Sequence, residues 1–314
     1  MQRNGRRVVV LGTGGTIAGL AASSEDHLGY ASAQLGVAQI VAATTTGDGV
    51  AVETEQVAQL DSKDMDFATW LKLAGRIAHH SARPEVAGIV VTHGTDTLEE
   101  TAYFLSRIVA VAKPVVLTGA MRPASSSEAD GPRNLADAIA VAAHAEAAGV
   151  VAVLAGTVHS ARDVRKLHPT RVDAFSSGDA GVLGHVAGGT LQQVRSWPSD
   201  EAIGIDRLPD DVSRWPRVEI VASTAGADAR IVAALLASGV DGIVVAATGN
   251  GTVHHALEGS LVEATRRGVA VLRSTRCADG RIVDARPALL PSADDLVPAK
   301  ARIELMLRLL IARG

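Results

Sequence analysis

Short apolar runs alternate with segments of helical periodicity along most of the chain. The runs have the length and the β-branched content of buried parallel strands. In the first half of the chain they are Val8 to Leu11, Gly88 to Thr92, Pro114 to Thr118 and Val150 to Leu154. Strand, helix and strand follow one another repeatedly, which predicts a mostly parallel sheet with helices on both faces.

Three helices are expected between or after these runs. One carries Phe67, Trp70 and Ile77 at helical spacing, and Asp61 or Ser62 is expected to cap it. The next follows the Gly88 run, with Asp96 or Thr97 as its cap and two glutamates, Glu99 and Glu100, in its first turn. The third is expected from Leu135 to Ala148.

The pattern dissolves near Gly188 and resumes at Val218. Prolines and charged residues fill the segment between, which is typical of an interdomain linker. Beyond it, strands Val218 to Ser223, Gly242 to Thr248 and Val269 to Ser274 are expected, with helices Asp228 to Ser238, His255 to Arg267 and Pro298 to Ala312. We therefore predict an α/β protein with a larger N-terminal domain (1–189), a linker (190–217) and a smaller C-terminal α/β domain (218–314).

Composition narrows the class of partner. The chain has 314 residues, 47% of them hydrophobic, and a net charge of −4 without a basic run. This balance argues against nucleic acid and anionic membranes and favours a small-molecule substrate. A single cysteine, Cys277, cannot form an internal disulfide, and neither a secretory peptide nor a membrane-spanning stretch is visible. A cytoplasmic protein is expected.

Within the stretch Arg7 to Gly19, the first apolar run leads into a turn that contains Gly12, Gly14 and Gly15. Glycines let a ligand approach the backbone closely, so Thr16 at the end of the turn is a candidate nucleophile. Such turns more often bind nucleotides, but this one lacks the third glycine of the dinucleotide fingerprint, and the chain has no Walker lysine pattern. The polar segment that follows, Ala21 to Gly36 with Tyr30 in it, fits a lid or a plain surface connection.

A second hydroxyl cluster follows the Gly88 run, where Thr95 and Asp96 stand among other threonines. Carboxyl ends of parallel strands share one edge, so Thr16 and Thr95 are expected to face one cleft. A threonine hydroxyl needs a base or a proton relay to react, and Lys166 is the candidate. The alternatives remain open: Lys166 also fits a solvated charge run, and Asp96 a helix cap.

The ten histidines show no metal-ligand spacing. His79–His80 and His254–His255 are adjacent pairs whose side chains diverge on a helix. No H-E-x-x-H, cysteine-rich or G-x-S-x-G motif is present, so neither a metal site nor a serine triad is expected.

Five motifs together resemble the bacterial-type L-asparaginase family, which includes asparaginase/glutaminases. The two most specific are LGTGGTIAG at 11–19 and VVTHGTDTLEETAYFL at 90–105. The other three are KPVVLTGAMRP at 113–123, ADGPRNL at 129–135 and RDVRK at 162–166. The similarity extends from about Val8 to the final helix.

The resemblance implies catalytic roles for five residues. Thr16 matches the threonine that attacks the side-chain amide and forms an acyl-enzyme, and Tyr30 matches the lid tyrosine that helps to activate it. Thr95, Lys166 and Asp96 match a second group that activates water or relays protons. The implied reaction is hydrolysis of L-asparagine to L-aspartate and ammonia, with minor glutaminase activity and no cofactor.

Substrate binding is implied at the same edge. Ser62 and Asp96 match residues that hold the substrate's α-carboxylate and α-amino groups, with Thr95 and Lys63 beside them. Lys63 stands where secreted relatives commonly have Gln or Glu, which changes the charge of the pocket.

Further departures lie in the C-terminal part. Thr252 occupies a position that is often Asn or Ser in the family, and the short 277–290 segment offers only Asp284 as a weak substitute for the substrate-binding Glu of secreted members. The family also implies a homotetramer of intimate dimers, in which one subunit closes a neighbour's site.

Two other functions remain open. One is a catalytically inactive amino-acid binding or sensing protein on the same scaffold, which ammonia release would exclude. The other is the amide-hydrolysing subunit of a tRNA amidotransferase. That variant usually carries an extra N-terminal domain, whereas the first strand here is expected near Arg7.

Overall fold

The computed structural model describes residues 6–45, 49–110, 112–199, 201–284 and 288–313. The chain divides into two compact units, Met1–Ile205 and Asp206–Gly314.

The first unit is built on a sheet with helices packed against it. Its strands are β1 (Arg6–Gly14), β2 (Leu20–Ala21), β3 (Tyr30–Ala31), β4 (Val50–Leu60), β5 (Val86–Thr92), β6 (Val115–Thr118), β7 (Val150–Leu154), β8 (Thr157–Ser160), β9 (Arg165–Lys166), β10 (Phe175–Ser176), β11 (Gly184–Ala187) and β12 (Thr190–Gln193). Its helices are α1 (Val37–Ala42), α2 (Phe67–Ser81), α3 (Leu98–Ile108) and α4 (Gly131–Ala142).

Eight strands form the main sheet in the order β12-β11-β8-β7-β6-β5-β1-β4. The strands β4, β1, β5, β6 and β7 are parallel, whereas β8, β11 and β12 continue the sheet in antiparallel fashion. The parallel strands end at one edge, so the segments after β1, β5 and β6 are neighbours there.

Both faces of the sheet are covered, as the apolar runs predict. Val8 and Val10 of β1 lie in a buried cluster with residues of α1 and α4. The alternate residues Val9 and Leu11 are equally buried, and α2 and α3 pack on the sheet as well. The mostly parallel sheet with helices on both faces is confirmed.

Two helix starts differ from the expectation. Asp66, and not Asp61 or Ser62, caps α2 by accepting a hydrogen bond from the Thr69 backbone N–H at 2.7 Å. Asp61 instead caps a single 3₁₀ turn, Ser62–Asp64, because extended backbone at Met65 interrupts the helical path.

The second correction concerns α4, which spans Gly131–Ala142 where Leu135 to Ala148 was expected. It starts earlier because Pro132 stands in its first turn, where the missing N–H leaves no hydrogen bond unmade. Separately, the segment assigned above to a linker begins with β12, which pairs with β11.

The second unit is a smaller α/β structure. Its parallel sheet runs β13 (Val218–Ala222), β14 (Gly242–Ala247) and β15 (Ala270–Thr275), and its helices are α5 (Arg230–Ala237), α6 (His255–Arg266) and α7 (Pro298–Arg313). Ile243 packs with residues of α5 and α6, whereas Gly242 faces Leu305 of α7, so helices cover both faces. Within the described ranges, no helix combines the length and the apolar character that a membrane crossing requires.

Candidate active site

Strand β1 ends in a turn whose backbone conformation favours glycine. Gly14 and Gly15 have φ of +105° and +82°, and Thr16 begins the 3₁₀ turn Thr16–Ala18. A Cβ on Gly15 would lie 2.3 Å from the Cα of Gly94, so the turn is in direct backbone contact with the segment after β5. Thr16 is thereby fixed next to the second hydroxyl cluster and is 6% exposed.

Tyr30 reaches Thr16 from a small hairpin. Strands β2 and β3 pair with Ala21 opposite Tyr30, and the Tyr30 hydroxyl lies 2.7 Å from the Thr16 Oγ1. The segment after β6 holds this hairpin: the Ala124 N–H donates to the Gly19 carbonyl at 2.9 Å, and the Ala21 N–H donates to the Ser125 Oγ at 2.8 Å. The segment after β1 is thus an anchored hairpin that presents a phenol to the candidate nucleophile.

The Lys166 side chain is hydrogen-bonded to Thr95 and Asp96, the two residues that follow Gly94. Its Nζ donates to the Thr95 Oγ1 at 2.9 Å and to the Asp96 Oδ1 at 2.7 Å. The lysine side chain is only 16% exposed, whereas that of Asp96 is 57% exposed. Because the Thr95 hydroxyl accepts from the ammonium, its own proton is free to be donated to a second group.

Ser62 lies at the carboxyl end of β4 and is buried. Its Oγ accepts a hydrogen bond from the Asp96 backbone N–H at 3.2 Å, and its carbonyl accepts one from the Thr97 Oγ1 at 2.7 Å. The Ser62 hydroxyl proton therefore remains available to an anion. The structure brings Ser62, Thr95, Asp96 and Lys166 into one hydrogen-bonded group.

Lys63 points to carboxylates of its own turn. Its Nζ lies 2.8 Å from the Asp64 Oδ2 and 3.5 Å from the Asp61 Oδ2, and its side chain is 61% exposed. The contact with Asp64 raises the pKa of Lys63, so it stays a cation beside Ser62.

A series of buried polar side chains, which the sequence motifs do not reveal, is hydrogen-bonded to the Gly94 carbonyl. The Trp70 Nε1 donates to the Thr101 Oγ1 at 2.7 Å, and that hydroxyl lies 2.9 Å from the His93 Nε2. The His93 Nδ1 lies 2.7 Å from the Gly94 carbonyl and must donate to it, which leaves the Nε2 of a neutral ring to accept from the Thr101 hydroxyl. Burial lowers the pKa of His93 to about 4, which keeps the ring neutral.

Thr252 and Asp284 belong to the second unit. The Thr252 Oγ1 lies 2.8 Å from the Thr248 Oγ1. Both oxygens of Asp284 accept hydrogen bonds from Arg273, at 2.8 and 2.9 Å, so this carboxylate already has a cationic partner. In the described part of the chain, no group of three or more His, Cys, Asp or Glu side chains is arranged to hold a metal ion.

Comparison with known proteins finds similarity over most of the chain. A family model described as asparaginase, N-terminal, matches residues 7–198, and one described as glutaminase/asparaginase C-terminal domain matches residues 217–312. L-asparaginase 2 of Bacillus subtilis is 38% identical over 309 residues, which cover 96% of this chain and 81% of that protein. A probable periplasmic L-asparaginase of Haemophilus influenzae is 38% identical over 311 residues, covering 96% and 88%.

A solved structure agrees with the sequence relatives. The crystal structure of a probable cytoplasmic L-asparaginase from Campylobacter jejuni is similar with a TM-score of 0.90 and 38% identity, covering 96% of this chain and 94% of that one. The fold and these similarities define an amidohydrolase with an α/β sheet at its centre. More particularly, the chain belongs to the asparaginase family.

Proposed function

We propose that the protein hydrolyses the side-chain amide of L-asparagine through an acyl-enzyme on Thr16. The observation that carries this proposal is the 2.7 Å contact between the Thr16 and Tyr30 hydroxyls at the carboxyl edge of the sheet. An aliphatic hydroxyl attacks an amide only when a partner takes its proton, and Tyr30 is within hydrogen-bond reach.

In the first half of the reaction, the Thr16 Oγ1 attacks the amide carbon and its proton leaves towards Tyr30. The tetrahedral oxyanion needs donors, and the Thr95 hydroxyl, whose oxygen already accepts from Lys166, is one of them together with backbone N–H groups. Collapse of this intermediate passes the proton taken by Tyr30 to the amide nitrogen, expels ammonia and leaves an aspartyl ester on Thr16.

In the second half, water attacks the ester and releases L-aspartate. Thr95, Lys166 and Asp96 activate this water or relay its proton. Their direct contacts of 2.9 and 2.7 Å provide the path: the Lys166 ammonium gives a proton to the exposed Asp96 carboxylate, and its nitrogen then accepts the proton that Thr95 passes on from the water.

The residues that recognise the substrate's α-carboxylate and α-ammonium groups lie at the same edge of the sheet. Ser62 donates its free hydroxyl proton to the α-carboxylate, and Asp96, more than half exposed, pairs with the α-ammonium. Thr95 and Lys63 belong to this substrate-binding group, with Lys63 adding positive charge on the carboxylate side.

The wider assignments rest on the family. We expect asparagine to be preferred over glutamine, with minor glutaminase activity, and a homotetramer in which Thr252 or the 277–290 segment completes a neighbour's site. Residues 1–189 then form the catalytic domain, followed by a linker (190–217) and the smaller domain (218–314). A cytoplasmic location is supported by the Campylobacter jejuni protein's description, while the Haemophilus influenzae relative is described as periplasmic.

Ammonia release from L-asparagine and L-glutamine, measured in parallel, tests this function. We expect release mainly from asparagine, and Thr16→Ala should lower kcat by more than about 1,000-fold because no other hydroxyl replaces the nucleophile. Thr190→Ala, which removes an exposed hydroxyl of the same unit in β12, is the matched control and should keep wild-type turnover.

Two results would contradict the proposal. A Thr16→Ala variant with normal turnover would remove Thr16 from the mechanism. Absence of ammonia from both amides, in folded protein, would favour an amino-acid binding or sensing protein instead.

A further inference from the structure

Lys166 is held at its backbone as well as at its ammonium. Its backbone N–H donates to the Glu99 Oε2 at 2.6 Å, a distance typical of a strong hydrogen bond to a carboxylate. Glu99 lies in the first turn of α3, only a few residues after Thr95 and Asp96. The same segment therefore binds both ends of the lysine.

The rest of the backbone around Lys166 is held from one side, by β10. Strand β9 has two residues and, among the described residues, pairs with β10, where Lys166 lies opposite Phe175 and the neighbouring Leu167 N–H donates to the Ala174 carbonyl at 2.7 Å. The Lys166 N–H faces away from that partner strand and towards Glu99. A lysine side chain has four rotatable bonds and about 2 kcal/mol of rotamer entropy, so a fixed Cα matters for where the Nζ lies.

We propose that Glu99 is a positioning residue for the reaction: its carboxylate anchors the Lys166 backbone and thereby sets the contact between the Lys166 Nζ and the Thr95 hydroxyl. Its place suits the role, because a carboxylate is favoured in the first turn of a helix and Glu99 is half-buried. Glu99 acts through Lys166 and does not touch the substrate. This inference rests on the proposed function, since turnover of asparagine is one of its readouts.

Three substitutions separate the hydrogen bond from the charge. Glu99→Ala removes both the hydrogen bond and the charge. Glu99→Asp keeps the charge but shortens the side chain by one methylene, so the carboxylate no longer reaches the Lys166 N–H. Glu99→Gln keeps the side-chain length and an acceptor oxygen but removes the charge. Asp and Gln are both well tolerated in the first turn of a helix, so these two variants should fold even if Glu99→Ala does not.

We expect kcat for asparagine to fall about 10- to 100-fold in Glu99→Ala and Glu99→Asp, because small misplacements of a catalytic group have effects of this size. Glu99→Gln should retain kcat within about threefold, and KM should stay within about twofold in all three, since Ser62 remains in place. In a Lys166→Met background, Glu99→Ala should cause no further loss. The exposed carboxylate Glu146 gives a control for the lost charge, and Glu146→Ala should match the wild type.

The proposal is overturned if Glu99→Ala and Glu99→Asp keep wild-type kcat while Lys166→Met is inactive, or if Glu99→Gln is as impaired as Glu99→Ala. Activity retained by Lys166→Met would instead contradict the proposed function. A crystal structure of Glu99→Asp tests the positioning without turnover: we expect the Nζ to leave its place 2.9 Å from the Thr95 Oγ1, and an unchanged contact would refute the role.

Discussion

Thr16 and Thr95 carry the same side chain but have different partners at the sheet edge. Thr16 meets a phenol at 2.7 Å, whereas Thr95 accepts a hydrogen bond from an ammonium at 2.9 Å. A phenol can take or return a proton during attack, while an ammonium polarises the hydroxyl that it binds. The two threonines therefore suit different steps of an acyl transfer.

The buried His93 makes the free energy of unfolding depend on pH in a measurable way. Its pKa in the folded protein is about 4, against 6.5 for a free histidine, so between these values the unfolded chain binds a proton that the folded chain does not. The lowered pKa of His93 therefore contributes about 3 kcal/mol to the free energy of unfolding. This contribution is fully present above pH 6.5 and is lost as the pH falls to about 4.

Urea unfolding followed by tryptophan fluorescence at several pH values checks this prediction. The non-titrating variant His93→Asn should be less stable than the wild type at pH 7, but the difference should shrink as the pH falls towards 4. A difference that stays constant over this range would show that the pKa of His93 is the same in the folded protein as in the unfolded chain.

The sequence identifies individual residues unevenly. Motifs predict Thr16, Tyr30, Thr95, Asp96 and Lys166, and strand ends that share one edge predict that Thr16 and Thr95 face one cleft. His93, Thr101 and Glu99 are not identified. Glu99 fits equally well as an acid favoured by the helix dipole, and Trp70 as part of an apolar helical stripe. Hydrogen bonds between segments that are distant in the chain leave no pattern in the local sequence by which these residues could be recognised.

At the scale of elements, the site depends on the close approach of two turns. Gly15 faces Gly94, and a Cβ on Gly94 would lie 2.4 Å from the Ser62 Oγ. The turns after β1, β4 and β5 are thus stacked without room for side chains between them. This packing sets the distance between the candidate nucleophile and the candidate substrate-binding group.

Gly15→Ala tests that packing. The new Cβ would clash with the Gly94 backbone at a φ of +82°, so we expect a loss of several kcal/mol in the free energy of unfolding, roughly 2 to 4, and strongly reduced turnover. Gly75→Ala in α2 is the matched control. Its Cβ would meet only the Ile205 side chain, at 3.9 Å, and alanine favours a helix, so stability should be unchanged or slightly higher. Equal stability of the two variants would contradict the account.

Element types are predicted better than element ends. The apolar runs place β5, β6 and β7 within two residues of their observed limits. The cap of α2 is misassigned because Asp61 and Asp66 are both acceptable caps, and only the backbone at Met65 decides between them. The β2–β3 hairpin could not be predicted, since its strands have two residues each and depend on contacts with the segment after β6.

For the whole molecule, the fold class follows from the alternation of strands and helices, but the strand order does not. Strand β1 lies between β4 and β5, and the sheet continues beyond β7 through three antiparallel strands. These strands are short, and only β8 is largely buried, so β11 and β12 lack the apolar runs by which parallel strands are recognised. The exact position of the division between the two compact units, after Ile205, likewise depends on contacts that periodicity does not report.

The central claim is that an amide is cleaved through an ester on Thr16, and identifying the acylated residue tests it most directly. Wild-type protein is quenched in acid during asparagine turnover and digested, and the modified peptide is located by mass spectrometry. We expect an aspartyl ester on Thr16, with neither ester nor ammonia release in Thr16→Ala. An ester on Thr95 instead, or full turnover by Thr16→Ala, would contradict the account.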